Sequence, residues 1–461
     1  MGDEIWRKSA NELAALIKTG QLSSREVVEA HLARIEAVND KLNAITIVLA
    51  DSALAAADAA DKQKGQGPLH GVPFTIKENI DCIGSATTQG VPLLADAMPS
   101  IDAPVVARMK RAGAIPLART NLPEMGLRIS TDNPLRGRTL NPWHPDRVAG
   151  GSSGGEGAAL ASGMSPIGLG NDIGGSLRNP AFCCGITALK PSAGRIPHAS
   201  CLPPEDAGIA FQTMAVEGPM SRHVKDLRIA YEILSGRDPR DPGSADVPLY
   251  GPAAPNKAAI VTEIPGVELP EATRAAIRQA GDALKDAGWE VAEAQPPELE
   301  RVHENWVYVL SMDFEPMLPE LSLLMSEATI GILKQLFERN DPTSVRLPDI
   351  HSERRRLSRL WSEFFMEYPL LIGPTWTDVQ FMHDADLDRT AGVQLIIDRL
   401  RFITPANALG LPSVAVPTGI HDDLPTGVQV YAEKWRDDLA LNGAEIIESA
   451  LGQLAPIDPR F

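Results

Sequence analysis

The chain is poor in positive charge, poor in cysteine and without a long apolar run. Across 461 residues the formal net charge is −17. Affinity for nucleic acid rests largely on lysines and arginines that neutralise phosphates, so this balance excludes a general phosphate-binding surface, and it disfavours anionic membranes for the same reason. No uncharged apolar run of about 18 residues is present, which removes a helical membrane span. The first residues, Met1-Gly2-Asp3-Glu4-Ile5-Trp6-Arg7-Lys8, carry acid where a secretory leader has a basic segment ahead of an apolar core, and a cytoplasmic protein is expected. Cys82, Cys183, Cys184 and Cys201 are too few and too irregularly spaced for a disulfide framework or a zinc site, and they read as buried free thiols. No Gly-Lys-Ser/Thr follows a glycine loop, so the common nucleotide-phosphate motif is missing. Internal repeats and low-complexity linkers are also absent, which favours one large domain over residues 1–461.

What is present is a soluble globular composition, 44% apolar and 22% charged, ample for a large core. From Ser9 to Ala60 apolar residues recur at helical spacing, and Ser23 with Glu26 forms a capping-box pattern at the head of the second helix. Val72 to Ile76 reads as a short buried strand that delivers Lys77 at its end. Ala103 to Ala112 has helical spacing, Gly113 stops it, and Ala114 to Ala118 resumes as a strand. Cys184 to Pro191 ends another strand. Ala258–Val261 and Trp289–Val291 bracket a helix from Glu271 to Ala287. Residues 300–365 read as largely helical, with Arg354-Arg355-Arg356 as a solvated helix face. Tyr368–Pro374 and Ser413–Val416 return as strands, and Asp437–Leu451 closes the chain as an amphipathic helix. Alternation of this kind predicts an α/β fold whose mainly parallel sheet carries helices on both faces.

The chemistry concentrates in Ala149–Arg178, where two glycine-flanked serines, Ser152 and Ser176, lie 24 positions apart. A serine hydroxyl attacks well only when a neighbour takes its proton and the developing oxyanion is stabilised. In Asp172-Ile173-Gly174-Gly175-Ser176 the glycines permit a turn that aims several consecutive amides at one point. The base is less obvious, because no histidine falls in a motif near either serine. His144 and His198 are isolated and read as structural or surface residues. A lysine can take the part if burial leaves it neutral. Lys77 follows an apolar strand, although on its own it reads better as a surface lysine paired with Glu78.

These residues carry a family resemblance. Gly150-Gly151-Ser152-Ser153-Gly154-Gly155, Asp172-Ile173-Gly174-Gly175-Ser176-Leu177-Arg178 and Gly71-Val72-Pro73-Phe74-Thr75-Ile76-Lys77-Glu78-Asn79 resemble the glycine/serine block, nucleophile block and lysine strand of the amidase signature family of serine hydrolases. Further matches run through Gly218–Arg222, Thr404–Pro412 and Leu424–Val430, so the resemblance covers nearly the whole chain. It implies a single α/β/α domain with a mixed, mostly parallel central sheet, a signature core at 65–230 and a variable, largely helical substrate side at 300–365. It implies a Ser-cisSer-Lys triad in which Ser176 attacks, Ser152 relays the proton and Lys77 is the base. The amides of Ile173, Gly174, Gly175 and Ser176 would hold the oxyanion, and no cofactor or metal is implied. Met125–Asn133, the loop 198–209 and the helices after residue 300 are expected to shape the pocket, with Met125 at the substrate. Asn171 departs from the Ser or Thr common at its position, so polar support around Ser152 is expected to differ. Arg178 matches a family arginine that in some members meets a substrate carboxylate, and here it is expected in a structural salt bridge with Asp172. Ser153 is the neighbouring hydroxyl, and the spacing favours Ser152.

The expected activity is that of a carbon–nitrogen hydrolase acting on small neutral or aryl amides, with carbamates (urethanes) and esters open to the same acyl-enzyme chemistry. The expected partners are small-molecule substrates rather than nucleic acid or membrane, and the chain is expected as a monomer or homodimer. Gly150-Gly151-Ser152-Ser153-Gly154 also fits the G-x-S-x-G elbow of α/β-hydrolases, which needs a strand immediately before it, whereas Asn141–Asp146 reads as a proline-broken loop. The alternative is the glutaminase subunit of a tRNA-dependent amidotransferase, whose version of the loop Leu122–Arg128 this chain does not resemble.

Overall fold

Among the described residues the architecture is set by thirteen strands. In chain order these are β1 (Ile45–Val48), β2 (Pro73–Lys77), β3 (Ile115–Thr120), β4 (Leu140–Asn141), β5 (His144–Val148), β6 (Ile167–Asp172) and β7 (Thr187–Lys190), then β8 (Val216–Ser221), β9 (Lys257–Ile260), β10 (Glu290–Glu293), β11 (Leu370–Pro374), β12 (Ser413–His421) and β13 (Leu424–Ala432). They come from a computed structural model that describes residues 2–63, 65, 67–203 and 206–461. Eleven of them form one sheet in the order β1-β3-β2-β6-β8-β7-β12-β13-β11-β9-β10, and β4 and β5 make a separate two-stranded ribbon. Helices cover both faces, giving the expected α/β/α layering. Among the described residues no helix is long and apolar enough to cross a membrane.

The expectation of a mostly parallel sheet does not hold. Four neighbouring pairings are parallel and six are antiparallel. Part of the reason is the hairpin β12–β13, closed by Asp422 (φ 48°) and Asp423 (φ 62°). Two consecutive left-handed residues make the tight turn that fits the twist of a hairpin, a part usually given to Asn-Gly or Asp-Gly. The Asp-Asp pair carries no such signal, and β13, which contains Pro425 and Gly427, escapes a reading by apolar runs.

Near the site the sequence reading is closer. β2 is buried at every position and lies between β3 and β6, parallel to both. A strand buried on both faces needs continuous apolar content, and Pro73-Phe74-Thr75-Ile76 supplies it. The Ser23 capping box forms, and Ser9 makes a second one. The region after residue 300 is helical, in Leu299–Phe314, Leu318–Leu324, Glu327–Arg339 and Leu347–Glu367. Its arginine cluster is not a plain solvated face. Arg354 donates to the carbonyls of Ala408 and Thr213, Arg356 pairs with Glu298 and Glu353, and only Arg355 is exposed. The proline-broken segment before Gly150 is also more ordered than expected: β5 runs to Val148, but in the ribbon rather than the central sheet. All four cysteines are free, with Cys201 half-buried and the others buried.

Candidate active site

β2 ends at Lys77, whose side chain is wholly buried. Its Nζ donates to Ser152 Oγ at 2.7 Å and to Asn171 Oδ1 at 2.6 Å. Glu78 is not its partner, because that carboxylate takes the Arg136 guanidinium at 2.5 Å. Burial pushes the Lys77 ammonium down to about 7, against the pull of Asp172, Glu156 and Glu217. Among the described residues no carboxylate lies within ion-pair distance of Nζ. A lysine so placed reaches the uncharged state near neutrality, where it can accept a proton.

The two serine segments are locked together by Asn179. Its Nδ2 donates to Gly151 O at 3.0 Å and Gly174 O at 3.4 Å, while its Oδ1 accepts from Trp376 Nε1 at 2.7 Å. Ser153 N also donates to Ser176 O at 3.3 Å. Ser152 and Ser176 are 2% and 6% exposed, and the Gly151–Ser152 peptide is cis. Gly151 admits no side chain, since a Cβ there would lie 2.6 Å from Arg128 O. Ser153 Oγ is buried beneath Gly170 and, among the described residues, has no hydrogen-bond partner. Only Ser152 of the adjacent pair therefore meets Lys77.

Beyond β6 the chain turns through Ile173-Gly174-Gly175. Asp172 organises this turn by accepting from Gly175 N at 2.7 Å and Leu177 N at 3.2 Å. The Gly175 amide, expected to face an oxyanion, is thus already shared with Asp172. Among the described residues no acceptor takes the amides of Ile173, Gly174 or Ser176. The expected Arg178–Asp172 bridge is present, at 3.0 and 3.1 Å, and Arg178 also reaches Ile403 O, Gln429 and Asn407. Burial alone would raise Asp172, but Arg178 outweighs it and, with Lys190 and Asn407, holds the carboxyl at about 2.

The pocket residues divide. Trp306, in the helix Leu299–Phe314, donates to Ile173 O at 2.7 Å, and a Cβ at Gly174 would lie 2.6 Å from its ring. The helical region therefore reaches the turn before Ser176, as expected. Met125 is half-buried with φ 49° and donates its N–H to Gln89 O at 2.7 Å. Ile129–Thr131 and Asn133 are buried, and Asn133 donates to Asn121 Oδ1 and Leu122 O. His198 is 30% exposed and stands 4.0 Å from Glu217.

Asn171, expected to alter the polar support around Ser152, contacts Lys77 instead, and its Nδ2 donates to Asn79 Oδ1 at 3.0 Å. Two further residues near the site carried no sequence assignment. Glu156 lies wholly buried in the helix behind the serine loop, accepting from Thr75 and Thr120. Its place in Gly154-Gly155-Glu156-Gly157, a carboxylate amid small apolar residues, was the available signal. Glu217 precedes Gly218-Pro219, and nothing in its local sequence marks it.

A family model described as Amidase matches residues 26–441. The chain is 40% identical to the indoleacetamide hydrolase of Bradyrhizobium diazoefficiens, covering 98% of this chain and 88% of that protein. It is 31% identical to one component of the glutamyl-tRNA(Gln) amidotransferase of Salinispora arenicola, covering 97% and 98%. Its fold matches the substrate complex of a 6-aminohexanoate cyclic dimer hydrolase with a TM-score of 0.87 at 28% identity, covering 99% of each chain. The chain belongs to the amidase family, as an amidase-signature hydrolase that acts on small amides by a serine-type mechanism.

Proposed function

We propose that the chain hydrolyses small neutral amides of aryl-substituted acids, with Ser176 as nucleophile, Ser152 as proton relay and Lys77 as base. The observation that carries this reading is the bond from a buried Lys77 Nζ, which has no carboxylate within ion-pair distance among the described residues, to Ser152 Oγ at 2.7 Å. An amine at that position, with its proton affinity brought to about 7 by burial, accepts the relay proton near neutral pH. Ser176 Oγ adds to the carbonyl carbon as its proton passes to Ser152 Oγ, whose own proton passes to Lys77 Nζ. The amides of Ile173, Gly174 and Ser176 receive the oxyanion, which shares the Gly175 N–H with Asp172. Collapse breaks the C–N bond and returns the proton through Ser152 to the leaving nitrogen. Water, deprotonated by the same relay, then releases the acid from Ser176.

For the acyl group, the likeness to an indoleacetamide hydrolase and the Trp306 ring beside the nucleophile turn favour an arylacetyl substrate. Carbamates and esters fit the same acyl-enzyme chemistry. The whole chain is read as one amidase-signature domain, with its catalytic core at 65–230 and its substrate-side cover at 300–365. The glutaminase reading rests on the 31% identity to an amidotransferase component.

The test is ammonia release from indole-3-acetamide, phenylacetamide, ethyl carbamate and glutamine, with and without Ser176→Ala. The aryl amides should turn over fastest, and the variant should lose on the order of 10⁴-fold or more. Glutamine as the preferred substrate would hand the chain to the amidotransferase reading. More than a trace of activity in folded Ser176→Ala would reject the nucleophile.

A further inference from the structure

Asn179 lies in the first turn of the helix Arg178–Cys184, and its side chain is met by groups that can each bond in one sense only. The Trp376 indole N–H donates and cannot accept, so the amide oxygen must face it, at 2.7 Å. The carbonyls of Gly151 and Gly174 accept and cannot donate, so the NH2 must face them, at 3.0 and 3.4 Å. Trp376 is itself fixed, stacked on Phe381 with ring centroids 5.3 Å apart and meeting Phe182 at 5.8 Å. The amide oxygen also lies against Gly175, where a Cβ would come within 2.6 Å of it. Each of the two carbonyls belongs to a peptide that aims a reacting group. Gly151 O sits on the peptide that leads into Ser152. Gly174 O sits on the Gly174–Gly175 peptide, whose N–H goes to Asp172 at 2.7 Å. That planar unit is held at both ends, which settles where the neighbouring amides of Gly174 and Ser176 point.

We propose that Asn179 is a positioning residue which, with its amide directed by Trp376, sets the separation between the relay serine and the oxyanion turn. The inference rests on Ser176 and Ser152 being nucleophile and relay. One nitrogen carrying two hydrogens spans the two segments, so their spacing is fixed by a single atom. Asn179 and Trp376 are both 0% exposed. Neither side chain can therefore touch substrate, and whatever they contribute passes through Gly151 and Gly174. Trp376 comes 197 positions after Asn179, so the end of β11 takes part in a geometry whose reacting residues all lie before it. Without the clamp the two segments can drift apart, and a misplacement of about 1 Å at reacting groups can cost on the order of 10²-fold in rate. The loss falls on the transition state, where the oxyanion and the relayed proton must be held together, rather than on binding of the neutral amide.

The experiment measures kcat and KM for phenylacetamide, and inhibition by benzyl trifluoromethyl ketone, whose adduct with a serine mimics the tetrahedral oxyanion, with melting curves in parallel. Asn179→Asp keeps the shape and the acceptor for Trp376, but as an acid it returns at most one of the two hydrogens. It should lower kcat on the order of 10²-fold, move KM less than about threefold, and weaken the ketone by the same factor as kcat/KM. Trp376→Phe keeps a ring and removes the N–H that directs the amide, so kcat and ketone affinity should fall about tenfold in the wild-type background and no further in Asn179→Asp. If Asn179→Asp does not fold, Trp376→Phe alone decides. Folded variants that melt lower but keep kcat and ketone affinity would make both residues scaffold and overturn the proposal. Losses that simply multiply in the double variant would overturn it too, since Trp376 would then not act through Asn179. If Ser176→Ala keeps the wild-type rate, the parent reading falls, whatever the Asn179 variants do.

Discussion

Lys77 and Lys190 each end a central strand with no exposed side-chain surface, and burial pushes each ammonium down to about 7. Their partners separate them. Lys77 donates to a serine hydroxyl and an amide at the candidate site, whereas among the described residues Lys190 donates only to the carbonyl of the next residue, Pro191, at 2.8 Å. Lys77→Ala should therefore weaken amide cleavage more than ester cleavage, because an amine leaving group depends on the returned proton and an alkoxide much less. Matched amide and ester substrates measure this, and equal losses would leave the relay unsupported. Lys190→Met should instead change stability. A lysine whose folded value is depressed costs stability fully below that value, and the cost fades as pH rises toward the unfolded value of 10.5. The variant should be more stable than the parent by on the order of 2 kcal/mol at pH 6, and the gain should shrink between about pH 7 and 10. Paired denaturant titrations at pH 6 and 9.5 read the difference, and a gain that does not fall with pH would mean that burial does not lower the Lys190 ammonium.

The short turn Glu124–Gly126 and the helix Glu327–Arg339 are joined by one carboxylate. Glu124, 2% exposed, accepts from Ser326 N at 2.7 Å, Ser326 Oγ at 2.5 Å and Thr329 Oγ1 at 2.7 Å. An anion at the first turn of a helix satisfies unpaired amides and complements the helix dipole, so this contact pins the helix Glu327–Arg339 to the turn that carries Met125. Glu124→Ala should cost about 2 kcal/mol and raise KM more than it lowers kcat, with faster amide exchange confined to residues 326–339. Uniform exchange with unchanged KM would make the contact incidental. Such a bond spans about 200 positions of sequence, and the same distance governs what was legible at the start. Lys77, Ser152 and Ser176 stand out because glycine spacing and a short apolar run are local signals. Asn171 on Lys77 and Glu217 opposite Asn171 are products of strand order and register, β2 beside β6 and β6 beside β8, and no local pattern encodes register. The Asp422-Asp423 turn and the half-buried Arg354 failed for a related reason, since backbone handedness and a distant carbonyl acceptor decide them rather than composition.

The whole molecule carries a net charge of −17, and the proposed reaction turns a neutral amide into a carboxylate. A strongly negative protein repels an anion over roughly one Debye length, about 10 Å at 0.1 M salt and about 3 Å at 1 M. The field therefore barely affects entry of a neutral substrate but hastens departure of the acid product. Raising salt from about 0.05 to 0.5 M screens that repulsion, so inhibition by the product acid should tighten a few-fold while KM for the neutral amide stays nearly constant. Inhibition constants for the arylacetic acid, measured beside KM for its amide across that range, separate this effect from general salt effects, which would move both together. A substrate carrying its own carboxylate should show the opposite trend to the neutral one, with kcat/KM rising as salt is added. If product inhibition instead weakens with salt, the acid is held by a local positive group at the site, and the charge of the molecule as a whole has no part in clearing it.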